Sequence, residues 1–146
     1  MDNFETMNKI IPFLARIFIG SLFIYAGAIK ALDPFQFTVD IQNYRLVPLP
    51  LAAFAALYLP WLEIICGGSL IRKKLYSGSL AILLILMIIF TVALGIAWMK
   101  GLDITCGCFG NNGGRSHYAE WLARDFLIVG MLIFLISKEW LRPSTS

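Results

Sequence analysis

Charged residues are scarce in this chain. Asp, Glu, Lys and Arg together make up 14% of its 146 residues, while hydrophobic residues make up 59%. A soluble domain carries roughly 25% charged and about 45–50% apolar residues, and a domain this small exposes too much of its surface to hide the excess. The composition therefore excludes a soluble globular domain, a disordered chain and a nucleic-acid-binding module. The net charge of +3 is of the size that basic loops give a membrane protein, and it calls for no acidic partner. Cysteine is scarce too, and three residues do not make a disulfide scaffold. The one histidine, His117, and the five methionines stand at no recognisable ligand spacing, so no metal site is expected.

What the chain does have is long apolar runs. Four stand out, over residues 10–32, 50–71, 75–99 and 118–140. A bilayer core takes roughly 20 residues of apolar helix. The third run meets this with no charge at all. The first carries Arg16 and Lys30, the second Glu63, and the fourth Arg124 and Asp125, so those side chains must lie near the interface or against other helices. Tyr76, Trp98, Trp121 and Trp140 fall near the ends of runs, where aromatic belts form. A cleaved signal peptide is the rival reading of the first run. That run is longer than a typical signal core, no small-residue cleavage site follows it, and Lys30 and Asp33-Pro34 come next. The expected fold is all-α: a single domain of four transmembrane helices in an antiparallel bundle.

Between the first two runs lies DPFQFTVDIQNYRLVPLP. Asp33-Pro34 has the form of an N-cap followed by proline at the first helical position, and Phe37, Ile41 and Tyr44 recur at helical spacing. The segment reads as a short amphipathic helix in the membrane interface, with a plain connecting loop as the alternative. The compact basic turn Arg72-Lys73-Lys74 favours placing its side in the cytoplasm. Both termini then share that side. The polar segment GLDITCGCFGNNGGRSHYAE faces outward, into the periplasm of a Gram-negative cell.

Cys106-Gly107-Cys108 is the sharpest chemical feature. Two thiols one residue apart close only a small ring, and strained, exposed disulfides are oxidising and labile. On the expected topology the pair stands in an oxidising compartment, which suits redox chemistry. A structural staple, a soft-metal site such as one for Cu(I) and an inert pair are the alternatives. Cys66, inside the second run, reads as a small apolar filler, and His117 reads as a solvated loop residue. Arg16, Gly20, Phe23, Gly27 and Lys30 are spaced 4, 3, 4 and 3 apart, which puts all five on one helix face. That face, charged at its ends and notched by glycines, should turn inward and let another helix approach. Glu63 and Gly67 share a face of the second run. Glu63 and Asp125 are the acidic partners on offer to Arg16, Lys30 and Arg124. This intramembrane charge network reads either as an ion-pair lock on the bundle or as a polar pocket for a quinone head group or a proton path.

The order of these features resembles the MauE branch of the broader DoxX-like membrane proteins. The matching elements are Arg16 with Gly20, AGAIKALDPF at Ala26–Phe35, the stretch Tyr44–Pro48, Leu59-Pro60 with Glu63 and Gly67, CGCFG at Cys106–Gly110, and Arg124-Asp125. The resemblance spans nearly the whole chain. It implies a four-helix integral membrane protein linked to maturation of methylamine dehydrogenase, whose small subunit is exported and rich in disulfides. Four helices with outward cysteines are also similar to disulfide generators of the vitamin K epoxide reductase and DsbB type, but those use CxxC pairs where this chain has CxC. Quinone as an electron acceptor is therefore analogy. The expected function is a thiol–disulfide relay in a bacterial inner membrane. Cys106 and Cys108 would be its reactive pair, and its partners an exported thioredoxin-like or disulfide-containing protein and the lipid bilayer. The rival class is a metal- or lipid-handling protein or an assembly scaffold without redox chemistry.

Overall fold

The computed structural model describes residues 2–102 and 118–141, with side chains from residue 6 onward. The described residues form five helices and no strand: α1 (Asp2–Leu32), α2 (Pro34–Asn43), α3 (Leu49–Arg72), α4 (Tyr76–Met99) and α5 (Tyr118–Trp140). Among the described residues three segments are long and apolar enough to cross a membrane: Thr6–Leu32 of α1, and the whole of α3 and α4.

Local chemistry sets the breaks. Pro34 pushes the residue before it off the helical backbone, and Asp33 ends α1 with φ −135°. The same Asp33 starts α2, because its Oδ1 accepts from Gln36 N at 2.9 Å and Pro34 needs no acceptor at the first position. The turn from α3 to α4 is made by Lys73 and Leu75, both with left-handed backbones (φ 57° and 52°). α4 ends in a Schellman arrangement, with Leu102 N donating to Ala97 O and Gly101 N to Trp98 O. This motif places its closing residue in the left-handed region, which glycine adopts without strain, and Gly101 sits there with φ 62°.

The bundle is apolar outside and charged inside. Phe13, Phe18, Tyr25, Phe54, Trp61, Ile65, Ile85 and Ile89 are exposed, whereas Arg16, Lys30, Asp40, Glu63 and Asp125 are buried. Water as the surrounding solvent would favour the reverse, and hydrocarbon favours this arrangement. The core joins four helices through Ile19 and Phe23 of α1, Cys66 and Leu70 of α3, Leu80, Leu83 and Met87 of α4, and Ile128, Leu132 and Leu135 of α5. α1 and α3 share the most extensive interface, and they run antiparallel. Gly20 lies against Gly67 and Ile71, and Gly27 lies against Pro60, Glu63 and Ile64. The glycine face of α1 read from the sequence thus meets α3 backbone to backbone. α2 packs on α3.

Candidate functional site

The glycine register fixes what meets what in the interior. Lys30 stands one turn after Gly27 and reaches Glu63 on α3, its Nζ donating to Oε1 at 2.7 Å and to Oε2 at 3.0 Å. Both side chains are 2% exposed. The ammonium also lies over two aromatic rings, Phe90 of α4 at 4.8 Å and Phe37 of α2 at 5.2 Å. Rings so placed attract a cation through their electron-rich faces. Lys30 therefore gathers four elements around one charge.

A second pair adjoins the first. Arg124 donates to Asp125 Oδ1 through Nη2 at 3.0 Å and Nε at 3.3 Å. The Asp125 side chain is buried, while Arg124 is about one-third exposed. Asp125, Lys30 and Glu63 line one small void of about 20 Å³ together with Met87 and Phe90, room for a single water. Met87 and Phe90 stand near the middle of the 24-residue α4, so the charge centre lies mid-bundle rather than at an end. Asp40 on α2 adds a third buried carboxylate, accepting from Gln36 Nε2 at 3.0 Å. It borders an apolar pocket of about 190 Å³ whose walls include Phe37, Leu59, Ile89 and Phe90.

Of the charges read from the sequence, Lys30, Glu63, Arg124 and Asp125 come together here. Arg16 does not. It stands fourteen residues before Lys30 on α1, about 21 Å along the axis, and its guanidinium lies over the Phe13 ring at 5.2 Å. Cys66 is buried in the core cluster with its thiol beside Ser79, the place of an apolar filler. Cys106, Cys108 and His117 lie outside the described residues. Among the described residues no group of three or more His, Cys, Asp or Glu is placed to hold a metal. Asp40, Phe37 and Phe90 were not picked out from the sequence as parts of this centre. The signal for the first two was present, since residues 37, 40 and 41 share one face of α2, which the C-cap residue Tyr44 extends.

Both ends of the segment that carries Cys106 and Cys108 are tied to one point. The buried Tyr118 hydroxyl donates to the Leu102 carbonyl, and Tyr118 packs with Leu94, Ala97, Tyr44 and Trp121. The end of α4 and the start of α5 therefore lie at the same end of the bundle. Tyr118→Phe removes this hydrogen bond between the ends while keeping the ring. The expected loss is about 1 kcal/mol, read as a lowered melting temperature of the purified protein in detergent. An unchanged melting temperature would show that ring packing alone holds the two ends.

These features define an all-helical membrane protein with an ion-pair centre buried between its helices. The chain belongs to the MauE family: residues 8–138 match the family model described as methylamine utilisation protein MauE. It is 29% identical over 139 residues to the methylamine utilization protein MauE of Methylorubrum extorquens, an alignment covering 93% of this chain and 72% of that one. It is 31% identical over 108 residues to the MauE of Paracoccus denitrificans, covering 73% and 57% of the two chains. With the MauE of Methylophilus methylotrophus the identity is 25% over 127 residues, covering 86% and 67%. The chain thus spans between just over half and about three-quarters of the length of these relatives. No solved structure gives a significant match.

Proposed function

We propose that the chain is a thiol–disulfide relay of a bacterial inner membrane, with Cys106 and Cys108 as its reactive pair. The observation that carries the reading is the Tyr118–Leu102 hydrogen bond, which brings the two residues flanking the cysteine-bearing segment together at one end of the bundle. α5 serves as a fourth span. Its Phe126, Leu127, Ile133 and Phe134 are exposed, as a lipid-facing surface requires, and its charged first turns meet the bundle through Asp125. α2 lies toward the outer interface and covers the charge centre with Phe37. Assigning the basic turn Arg72-Lys73-Lys74 to the cytoplasmic side supports an outer face for the cysteine pair.

In the exchange, a thiolate of the dithiol attacks one sulfur of the facing disulfide and forms a mixed disulfide. The second thiol resolves it. Two electrons and two protons pass from the dithiol to the disulfide, so one partner ends as two thiols and the other as one disulfide. The partner is an exported thioredoxin-like or disulfide-containing protein, and the relatives' names point to methylamine utilisation as its setting. Where Cys106 and Cys108 end as the two thiols, a membrane quinone would serve as the acceptor of two electrons and two protons that returns them to the disulfide. The apolar pocket beside Phe37 and Phe90 supports a ring-shaped acceptor of this kind. In this reading the Lys30–Glu63 pair locks the bundle.

The test is to express Cys106→Ser and Cys108→Ser separately and together in cells and run non-reducing gels. One single variant should accumulate a reducible adduct of higher mass, because its remaining thiolate attacks the disulfide of an oxidised partner and no second thiol is present to release the mixed disulfide. The double variant should form none. A metal-handling protein would lose bound metal equally in both single variants and trap nothing. If neither single variant forms an adduct and the double variant keeps full activity in cells, the relay is rejected in favour of a scaffold.

A further inference from the structure

The end of the bundle opposite Leu102 and Tyr118 has a feature of its own. A cleft of about 680 Å³ opens there between the early turns of α1, the α3–α4 turn and the end of α5. Four cationic side chains line it, Lys9, Arg16, Lys73 and Lys138, against one carboxylate, Glu139. Three separate parts of the chain supply these cations, so the cluster is a product of the fold rather than a run in the sequence.

Arg16 makes the cleft more than a basic surface. It is 8% exposed, and its Nε has no hydrogen-bond partner among the described residues. A buried guanidinium N–H without an acceptor is costly, and the cleft is where an acceptor can be supplied. Lys9 precedes Arg16 by two turns on α1 and is exposed, so Arg16 stands about 10 Å deeper along the axis. Lys138 is held at the rim, its Nζ donating to Asn8 Oδ1 at 2.7 Å. Three ammonium groups and one guanidinium thus line one cleft, and the planar fork of a guanidinium matches the oxygens of a phosphate.

We infer that this cleft binds the phosphate of an anionic phospholipid headgroup. Two observations favour a lipid over a free anion. The cleft lies where apolar helices end, at the level of the headgroups. Its α1 wall is also continuous with Phe13, Leu14 and Phe18, all more than half exposed or nearly so, along which acyl chains can run. Basic pockets between helices at the membrane boundary recognise such headgroups in general. The site is independent of the cysteine relay and stands whether or not that reading does.

The test uses the full chain purified in a nonionic maltoside detergent. Short-chain phosphatidylglycerol, phosphatidylcholine of equal chain length and inorganic phosphate are titrated separately, with binding read from native mass spectra and from the melting temperature. Phosphatidylglycerol should bind and raise the melting temperature, and phosphatidylcholine should bind more weakly because its choline meets a cationic rim. Arg16→Gln should weaken phosphatidylglycerol about tenfold, the loss of one charged hydrogen bond. Should Arg16→Gln fail to fold, Lys73→Asn decides the matter, since asparagine tolerates the left-handed backbone at this position and should weaken binding with the fold intact. Inorganic phosphate binding as tightly as the lipid, with the same dependence on these side chains, would overturn the lipid assignment in favour of a soluble phosphate ligand. Binding of neither, or binding indifferent to both substitutions, would overturn the site.

Discussion

Glu63→Leu alone should destabilise the folded protein by about 3–5 kcal/mol, and adding Lys30→Met should return most of that loss. The reason lies in what each substitution leaves behind. Glu63 is 1% exposed and takes both of its short contacts from Lys30. Removing the carboxylate takes from the ammonium its contacts to both Glu63 oxygens in the middle of the bundle, and the ring faces of Phe37 and Phe90 attract it more weakly than a carboxylate does. Removing both partners leaves two flexible apolar side chains of similar volume in a site already walled by Phe37, Met87 and Phe90. Denaturant titration of the purified variants in detergent measures the cycle. An Arg16→Leu substitution combined with Glu63→Leu should instead give additive losses, because Arg16 lies about 21 Å from Lys30 along α1. Recovery in the Arg16 pair, or additive losses in the Lys30 pair, would show that the interior charges are paired differently from the geometry described.

How much of this was readable beforehand differs from element to element. The helices at Leu49–Arg72, Tyr76–Met99 and Tyr118–Trp140 fall within a residue of the apolar runs, because hydrophobic length and flanking breakers are properties of the local sequence. The inward face Arg16, Gly20, Phe23, Gly27 and Lys30 was equally readable, since 3.6-residue periodicity decides it. Which carboxylate Lys30 meets was not readable. Glu63 and Asp125 are both acidic and both inside long helices, and the choice depends on the register of α1 against α3, set by the clash-free approach of glycines to a neighbouring backbone. The role of Phe90 was hidden for a related reason. It lies in a run so uniformly apolar that no residue of it stands out, and only the packing of α4 shows which of its rings faces a charge. The cysteine pair had the clearest sequence signal, yet it lies in a segment of which only the anchoring ends, Leu102 and Tyr118, belong to the described residues.

The glycine contact between α1 and α3 should be as sensitive as the ion pair it positions. A Cβ added at Gly67 would stand 2.7 Å from Gly20 O, and one at Gly27 would stand 2.6 Å from Pro60 O. Both obstacles are backbone atoms, which cannot rotate away, so the helices must separate. Alanine is the better helix former by about 1 kcal/mol, but overpacking a tight contact costs typically about 1–3 kcal/mol, and here the penalty should exceed the gain. Gly68→Ala supplies the control. Nothing lies within 4 Å of a Cβ there, so the same substitution one residue along should be neutral or slightly stabilising. Gly27→Ala should do further damage, because its Cβ would also stand 3.2 Å from Glu63 Cβ and pushing α3 away lengthens the Lys30–Glu63 contact. In a Lys30→Met, Glu63→Leu background that second loss disappears, so Gly27→Ala should cost less there than in the native sequence, while Gly67→Ala should cost the same in both. Equal penalties for Gly27→Ala in the two backgrounds would separate the glycine contact from the ion pair and show that the register of α1 on α3 is held without it.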